Sequence, residues 1–437
     1  MDPVLGMYLV GIFALLMIMG VPIAISIGVA SASILLATMP FKVALSTAGQ
    51  KMVTGIDSFS LLAVPLFVMA GNIMNHGGIA RRLVDFAYLF VGRIPGSISH
   101  VNVVANMLFG SVSGSAVAAV AAVGKTLLPE AKKAGMDIPL FTAANIASGP
   151  TGQIIPPSNG MIVYSVVSGG TSIGALFLAG YIPGIIMGLC SMAVVAIYLK
   201  LHPSWAGKNP QVDYSFANVL AVIWRALPSL AMIIVVIGGI IAGVYTATEA
   251  ACSAVVYALI LSAVYKQINV KVLLDMARDT ILISSLVLFL IGCSTVMSYV
   301  LAYIQLPKLI SEAILGVTHS TFIILLLMNI ILLLVGMFMD LTPAVLIFTP
   351  IFLPIAEAIG IHPVHFGMIM MFNLCVGITT PPVGAALFVG CSISKVSIEL
   401  ATKRLLPFFI STIAGLMVIT YVPQLSLAIP KWAGMIN

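Results

Sequence analysis

Gly149-Pro150-Thr151-Gly152-Gln153-Ile154-Ile155-Pro156-Pro157-Ser158-Asn159 interrupts two apolar runs, Ile138–Ser148 and Gly160–Ser168, each too short to cross a bilayer alone. The adjacent prolines remove two amide donors, and each pushes the residue before it out of the helical region. Two upstream glycines loosen the backbone further. A helix cannot run through this stretch, so the sequence predicts unwound backbone at membrane depth. Such backbone persists only where protein buries it or where it lines a polar cavity. The device recurs at Gly377-Ile378-Thr379-Thr380-Pro381-Pro382-Val383-Gly384, at an offset of 225 residues. Paired interruptions in corresponding positions of two halves point to a transporter's binding site.

The surrounding chain is as apolar as this reading needs. Of 437 residues, 61% are hydrophobic and 7% charged, with a mean hydropathy of +1.19. Soluble domains carry about 25% charged residues, so the composition predicts a polytopic membrane protein in a lipid bilayer, without a sizeable soluble domain. The start, Met1-Asp2-Pro3 followed at once by apolar residues, lacks a basic n-region and reads as the first transmembrane helix. The net charge of +6 does not point to nucleic acid, because the basic residues sit in short loops beside apolar spans. Cys190, Cys252, Cys293, Cys375 and Cys391 lie in apolar runs without CxxC or Cys/His spacing. They read as small core residues, implying neither a disulfide nor a metal site.

In chain order the first half, 1–225, is expected to hold scaffold helices over 3–75 and an amphipathic arm at 79–93. A hairpin at 97–134, the interrupted helix 138–168 and a helix at 173–199 follow. Lys42 and Lys51 are placed in a polar loop before a helix at about 58–75. The second half, 226–437, repeats the plan: scaffold helices 228–265, a helix at 279–304 and an arm at 307–316. A hairpin at 321–358, the interrupted helix 363–394 and a helix at 405–422 complete it. At the single offset of 225, Pro129 pairs with Pro354, Gly135 with Gly360, Gly152 with Gly377 and Ser172 with Ser397. Five crossings and one re-entrant hairpin per half make the copies inverted. With both termini outside, fourteen basic residues fall in inner loops and four in outer ones, which obeys the positive-inside rule. The expected fold is an all-α membrane protein with two re-entrant hairpins and two broken helices in an inverted repeat.

Asp340 is the deepest acid in the sequence. A carboxylate between long apolar limbs is costly and functional by default, although Thr342-Pro343 also reads as a cap and first turn. Its counterpart at offset 225 is Ser115, so the charge is not shared by the copies. The tip serines Ser111, Ser113 and Ser115 serve either close helix packing or, with freed carbonyls at Gly149, Gly152 and Pro156, a cation that wants several oxygens. A second such site would use the turn from Gly336 to Met339 with Gly377, Thr379 and Thr380. Sodium is favoured over protons because deep titratable groups are scarce. Glu249 beside Thr248 reads as a helix-start carboxylate, and His100, His319 and His362 as interfacial. Four half-helix starts, after Ser115, Asn159, Asp340 and Pro382, are expected to converge and favour an anion, with Ser158 and Asn159 as cap and ligand.

The paired interruptions, the tip Gly110-Ser111-Val112-Ser113-Gly114-Ser115 and the tip Gly336-Met337-Phe338-Met339-Asp340-Leu341-Thr342-Pro343 resemble the large membrane subunit of TRAP (tripartite ATP-independent periplasmic) transporters. The resemblance covers essentially the whole chain. It implies sodium-driven uptake of an organic acid by an elevator movement in the bacterial inner membrane, with no cofactor beyond the coupling ions. It also implies a soluble periplasmic binding protein and a small four-helix membrane subunit, expected here on a separate chain. By position, Ser113, Ser158 and Asp340 match residues expected at the substrate. The sequence is most similar to the sialic-acid branch, with C4-dicarboxylates as the other candidate. A stand-alone divalent-anion/sodium symporter would share the hairpins but need no binding protein. An enzyme is disfavoured: there is no GxSxG, no HExxH and no second membrane carboxylate to pair with Asp340.

Overall fold

The structure is a computed structural model, and it describes residues 3–76, 78–266, 269–318 and 320–436. His319 lies outside the described residues. Among those described, the regular structure is all helical. Six helices are long and apolar enough to cross a membrane, or seven if the bent pair Phe41–Ile56 and Phe59–Asn75 counts as one span. The chain is a multi-pass membrane protein.

Several helices outrun the apolar stretches that announce them. The sequence places helices at 228, 279 and 405; they begin at Phe216, Val270 and Ile398. Each has a side-chain cap upstream: Ser215, Asn269 and Ser397 accept amides three residues on. Polar first turns continue a helix beyond the span once capped, so hydropathy alone cuts them short. The expected loop at Lys42 and Lys51 is instead the helix Phe41–Ile56. Its Ala44, Ala48, Met52 and Gly55 fall at helical spacing and form the packed face, with Met52 against Gly292 and Gly55 against Thr295. A further helix, Gln424–Trp432, follows Pro423 and packs on Ile173–Leu201.

Helices Ala63–His76 and Ala247–Val264 pack together, and Val270–Tyr303 runs along Ile23–Thr38 and Phe41–Ile56. Thr246 and Glu249 form a capping box, the Glu249 carboxylate accepting the Thr246 amide at 2.7 Å. That gives Glu249 a structural task. The arm Ile79–Val91 buries Ile79, Leu83, Val84 and Ala87. It does not simply float on the membrane surface. Arg81 reaches Glu130 of the first hairpin at 2.6 Å, and the Tyr88 hydroxyl donates to the same carboxylate at 2.9 Å. Burial, and then the Glu130 charge, push the Tyr88 phenol up.

The hairpins are Ser97–Ser113 with Ala116–Lys133, and Thr321–Gly336 with Leu341–Ala358. The first interrupted span is Ile138–Ser148, a single turn Thr151–Ile154, then Asn159–Val167; the second is Pro363–Gly377 and Ala385–Ser394. His100, expected at the interface, is buried at 3% exposure, whereas His362 caps the helix at Pro363 by accepting the Val364 amide at 3.2 Å.

Candidate functional site

Each hairpin meets its own interrupted span through a pair of glycines. Gly110 and Gly152 touch backbone to backbone, and a Cβ on either would overlap the other's Cα. In the second unit, a Cβ on Gly336 would stand 3.0 Å from the Gly377 Cα. Only a residue without a side chain permits this approach. The Pro156-Pro157 and Pro381-Pro382 peptide bonds are both cis. Buried amides tie the same joints. Asn106 donates to Asn145 at 3.0 Å and to Ser148 at 2.9 Å, and Asn145 donates to the Val120 carbonyl at 2.9 Å. Across the second joint, Asn373 donates to Asn329 Oδ1 at 2.8 Å. The sequence reading missed these amides; a polar side chain in an apolar helix was the available signal.

A cavity of about 160 Å³ lies where the two tips come together. The first tip supplies Ser113, Gly114 and Ser115, the second Asp340 and Thr342, and the first interruption Gln153, Asn159 and Gly160. The opposite wall is Gly71, Asn72 and Asn75 of Ala63–His76, with Ile283 and Val287 of Val270–Tyr303. Close approach again depends on glycine: a Cβ on Gly71 would stand 3.0 Å from the Ser113 carbonyl oxygen, and Gly160 lies against Leu341. Gly114 has φ +62°, the left-handed conformation that turns the tip.

Of the residues expected at the substrate, Ser113, Asn159 and Asp340 line this cavity together. Ser158 sits at the same helix end, fully buried, and neither its hydroxyl nor Asn159 Oδ1 has a partner among the described residues. Asp340 Oδ1 accepts the Leu341 amide at 2.9 Å and Ser115 Oγ accepts the Ala118 amide at 3.3 Å. Both therefore cap their helices and face the cavity at once. Three of the four expected helix starts converge here. The fourth, after Pro382, does not: Val383 lines a separate pocket of about 720 Å³ whose lining side chains are all apolar. Asn72, Asn75 and Gln153 were not singled out from the sequence. Asn72 and Asn75 were visible only as two amides at i, i+3 in an apolar helix.

The oxygens expected to hold cations gather around the two joints rather than in the cavity. At the first, the Ser111 hydroxyl donates to the Leu108 carbonyl at 2.8 Å, Gly149 lies beneath Val120, and Gly152 and Pro156 belong to the interruption. Ser115 is shared with the cavity. At the second, Thr379 and Thr380 both donate to the Val376 carbonyl, at 2.7 and 2.9 Å, beside Gly336 and Gly377. The Val383 amide donates to the Met337 carbonyl at 3.2 Å, joining tip to interruption. Met339 faces the apolar pocket with its side chain, so only its backbone is available to a hard cation.

The family model described as "Tripartite ATP-independent periplasmic transporter, DctM component" matches residues 10–425. The chain belongs to this family. It is 52% identical to the uncharacterized protein YgiK of Salmonella typhimurium over 422 residues, 97% of this chain and 96% of that one. The isethionate TRAP transporter permease protein DctMQ of Oleidesulfovibrio alaskensis is 37% identical, over 95% of this chain and 65% of that one. The sialic acid TRAP transporter large permease protein SiaM of Vibrio cholerae is 34% identical, over 95% and 96%. Among solved structures, the Alcanivorax borkumensis YdaH transporter superposes with a TM-score of 0.62 at 15% identity, covering 86% of this chain and 88% of that one. That likeness concerns the fold. As a TRAP permease component, the chain is a transport protein, and the cavity between the tips is its candidate solute site.

Proposed function

We propose that this TRAP component is the large permease subunit of a sodium-coupled importer of a small organic acid. A soluble periplasmic binding protein would deliver the solute, and a small membrane subunit on a separate chain would complete the complex. Its place is the bacterial inner membrane, with both termini periplasmic. The observation that carries this reading is the cavity shared by Ser113, Asn159 and Asp340, where two hairpin tips and an unwound span meet. Helix starts there supply positive ends for an acid group without a deep arginine. The glycine joints bring hydroxyl and carbonyl oxygens together at two places, which suits two coupling cations.

One wall of the cavity belongs to the hairpins and the interrupted span, the other to Ala63–His76 and Val270–Tyr303. This division supports an elevator reading, in which the hairpin units move as one body and carry the solute along the second wall, with the arms as connectors. Relatives named for isethionate and sialic acid match at 37% and 34%, so identity does not rank these acids or C4-dicarboxylates as solutes.

The test is uptake into proteoliposomes holding this chain and its small partner, with an imposed sodium gradient and labelled acids. Uptake is expected only with inward sodium and a matching binding protein. Equal uptake without a gradient would overturn sodium coupling. Equal uptake without the binding protein would favour a stand-alone symporter.

A further inference from the structure

The apolar pocket beside the second tip corresponds, through the repeat, to the polar cavity. At the offset of 225, its Met297, Phe338, Met339 and Val383 match Asn72, Ser113, Gly114 and Ser158. Asn72, Ser113 and Gly114 line the polar cavity, and Ser158 precedes the helix that starts there. Each copy thus builds a chamber from its hairpin tip and the helix before its arm. The first chamber holds hydroxyls, amides and a carboxylate, whereas every side chain lining the second is apolar.

A space of about 720 Å³ with such a lining has nothing to hold water. An apolar cavity of about 150 Å³ already stays dry and takes up benzene. Nor is the pocket closed. Leu9, Met297 and Phe352 are buried at its floor, while Val10, Ile18 and Phe338 at its rim are exposed. Met7, Leu15 and Leu334, on the same helices as the rim, are exposed as well. The pocket is therefore a bay in the surface that a multi-pass protein turns to the bilayer, where lipid is the neighbour at hand. A helix, about 10–12 Å across with its side chains, could enter such a volume over no more than about two turns. A flexible hydrocarbon chain meets no such limit. The walls come from two sides: Pro3–Ile18, Val270–Tyr303 and the arm Leu306–Val317 on one, the second hairpin on the other.

We propose that this bay binds one acyl chain of a bilayer phospholipid, seated between the second hairpin and the helices that face it. The site is independent of which acid the protein carries. Lipid tails are as apolar as the lining, so packing, and not removal from water, favours the bay over bulk lipid. The preference is accordingly modest.

The test uses the chain with its small partner in nanodiscs of phosphatidylethanolamine carrying a diazirine midway along one acyl chain. After illumination, labelled peptides are mapped by mass spectrometry. Peptides covering 9–18 and 338–352 are expected to take up about three-fold or more label than those around Ile234 and Ile410, which are well exposed. Ala14→Trp and Val10→Trp each put an indole into the bay. Either is expected to bring labelling of 338–352 down to that of the exposed peptides, without altering the latter. Equal labelling of bay and exposed peptides in the unaltered protein overturns the proposal, and so does bay labelling that survives in a folded tryptophan variant. Phe348→benzoylphenylalanine reads the rival occupant: adducts with lipid support the proposal, and adducts with the small partner instead overturn it.

Discussion

The two interrupted spans carry the same Pro-Pro pair and meet opposite surroundings. In the first, the residues after the prolines are Ser158 and Asn159; in the second they are Val383 and Gly384. Asn159 faces the polar cavity, while Val383 faces an apolar pocket of about 720 Å³. The hairpin tips reverse the polarity, since Ser115 of the first stands opposite Asp340 of the second. Unwinding is therefore separable from chemistry. The prolines and glycines build the same backbone joint twice, and two or three side chains decide which joint borders the polar cavity.

The sharpest way to break this contrast is Asp340→Ala. Losing a charged hydrogen-bonding group at the site is expected to lower uptake about 100-fold, with loss of the cap costing about 1 kcal/mol of stability. Uptake and melting temperature measured together separate the two, and wild-type flux in this variant would remove Asp340 from the mechanism. Next, grafting the second interruption onto the first, as Ser158→Val with Asn159→Gly, is expected to reduce uptake about ten-fold. The reverse graft, Val383→Ser, should leave flux nearly unchanged; comparable losses from both grafts would show that the two spans do equivalent jobs.

The joints themselves sharpen the comparison through stability. Gly152→Ala, which drives a methyl into Gly110, is expected to cost about 1–3 kcal/mol in thermal unfolding. Gly336→Ala, with 3.0 Å to its nearest neighbour, is expected to cost less. The smallest effect belongs to Glu249→Gln in the capping box, whose carboxylate bonds to Thr246. Uptake should be unaltered there, and a clear loss of flux would give Glu249 a part beyond the cap.

Much of this was legible because prolines and glycines act locally. Pro156-Pro157 and Pro381-Pro382 mark the interruptions, and Gly114 marks the first tip, whatever packs around them. Asp340 was legible because a carboxylate in an apolar run is costly, and the capping role that the sequence also offered it is present at the start of Leu341–Ala358. Asn72 and Asn75 were not, since an amide at i, i+3 looks the same whether it faces a neighbour, lipid or a cavity. Only the approach of Gly71 to Ser113 decides it. The helix Phe41–Ile56 was hidden for a related reason: its lysines, glycines and threonines mimic a loop, and its packed face is mostly small residues, with Met52 and Gly55 meeting Gly292 and Thr295 about 240 positions away. Ser158 was placed at the correct helix end, but that its hydroxyl would be left without a partner there is a property of packing and not of sequence.

Met339 and Asp340 are consecutive, yet Met339 borders the apolar pocket and Asp340 the polar cavity. The second tip thus presents two media to neighbouring residues of one short turn. A side chain lengthened or shortened at either of these two positions therefore changes one medium's boundary without touching the other's.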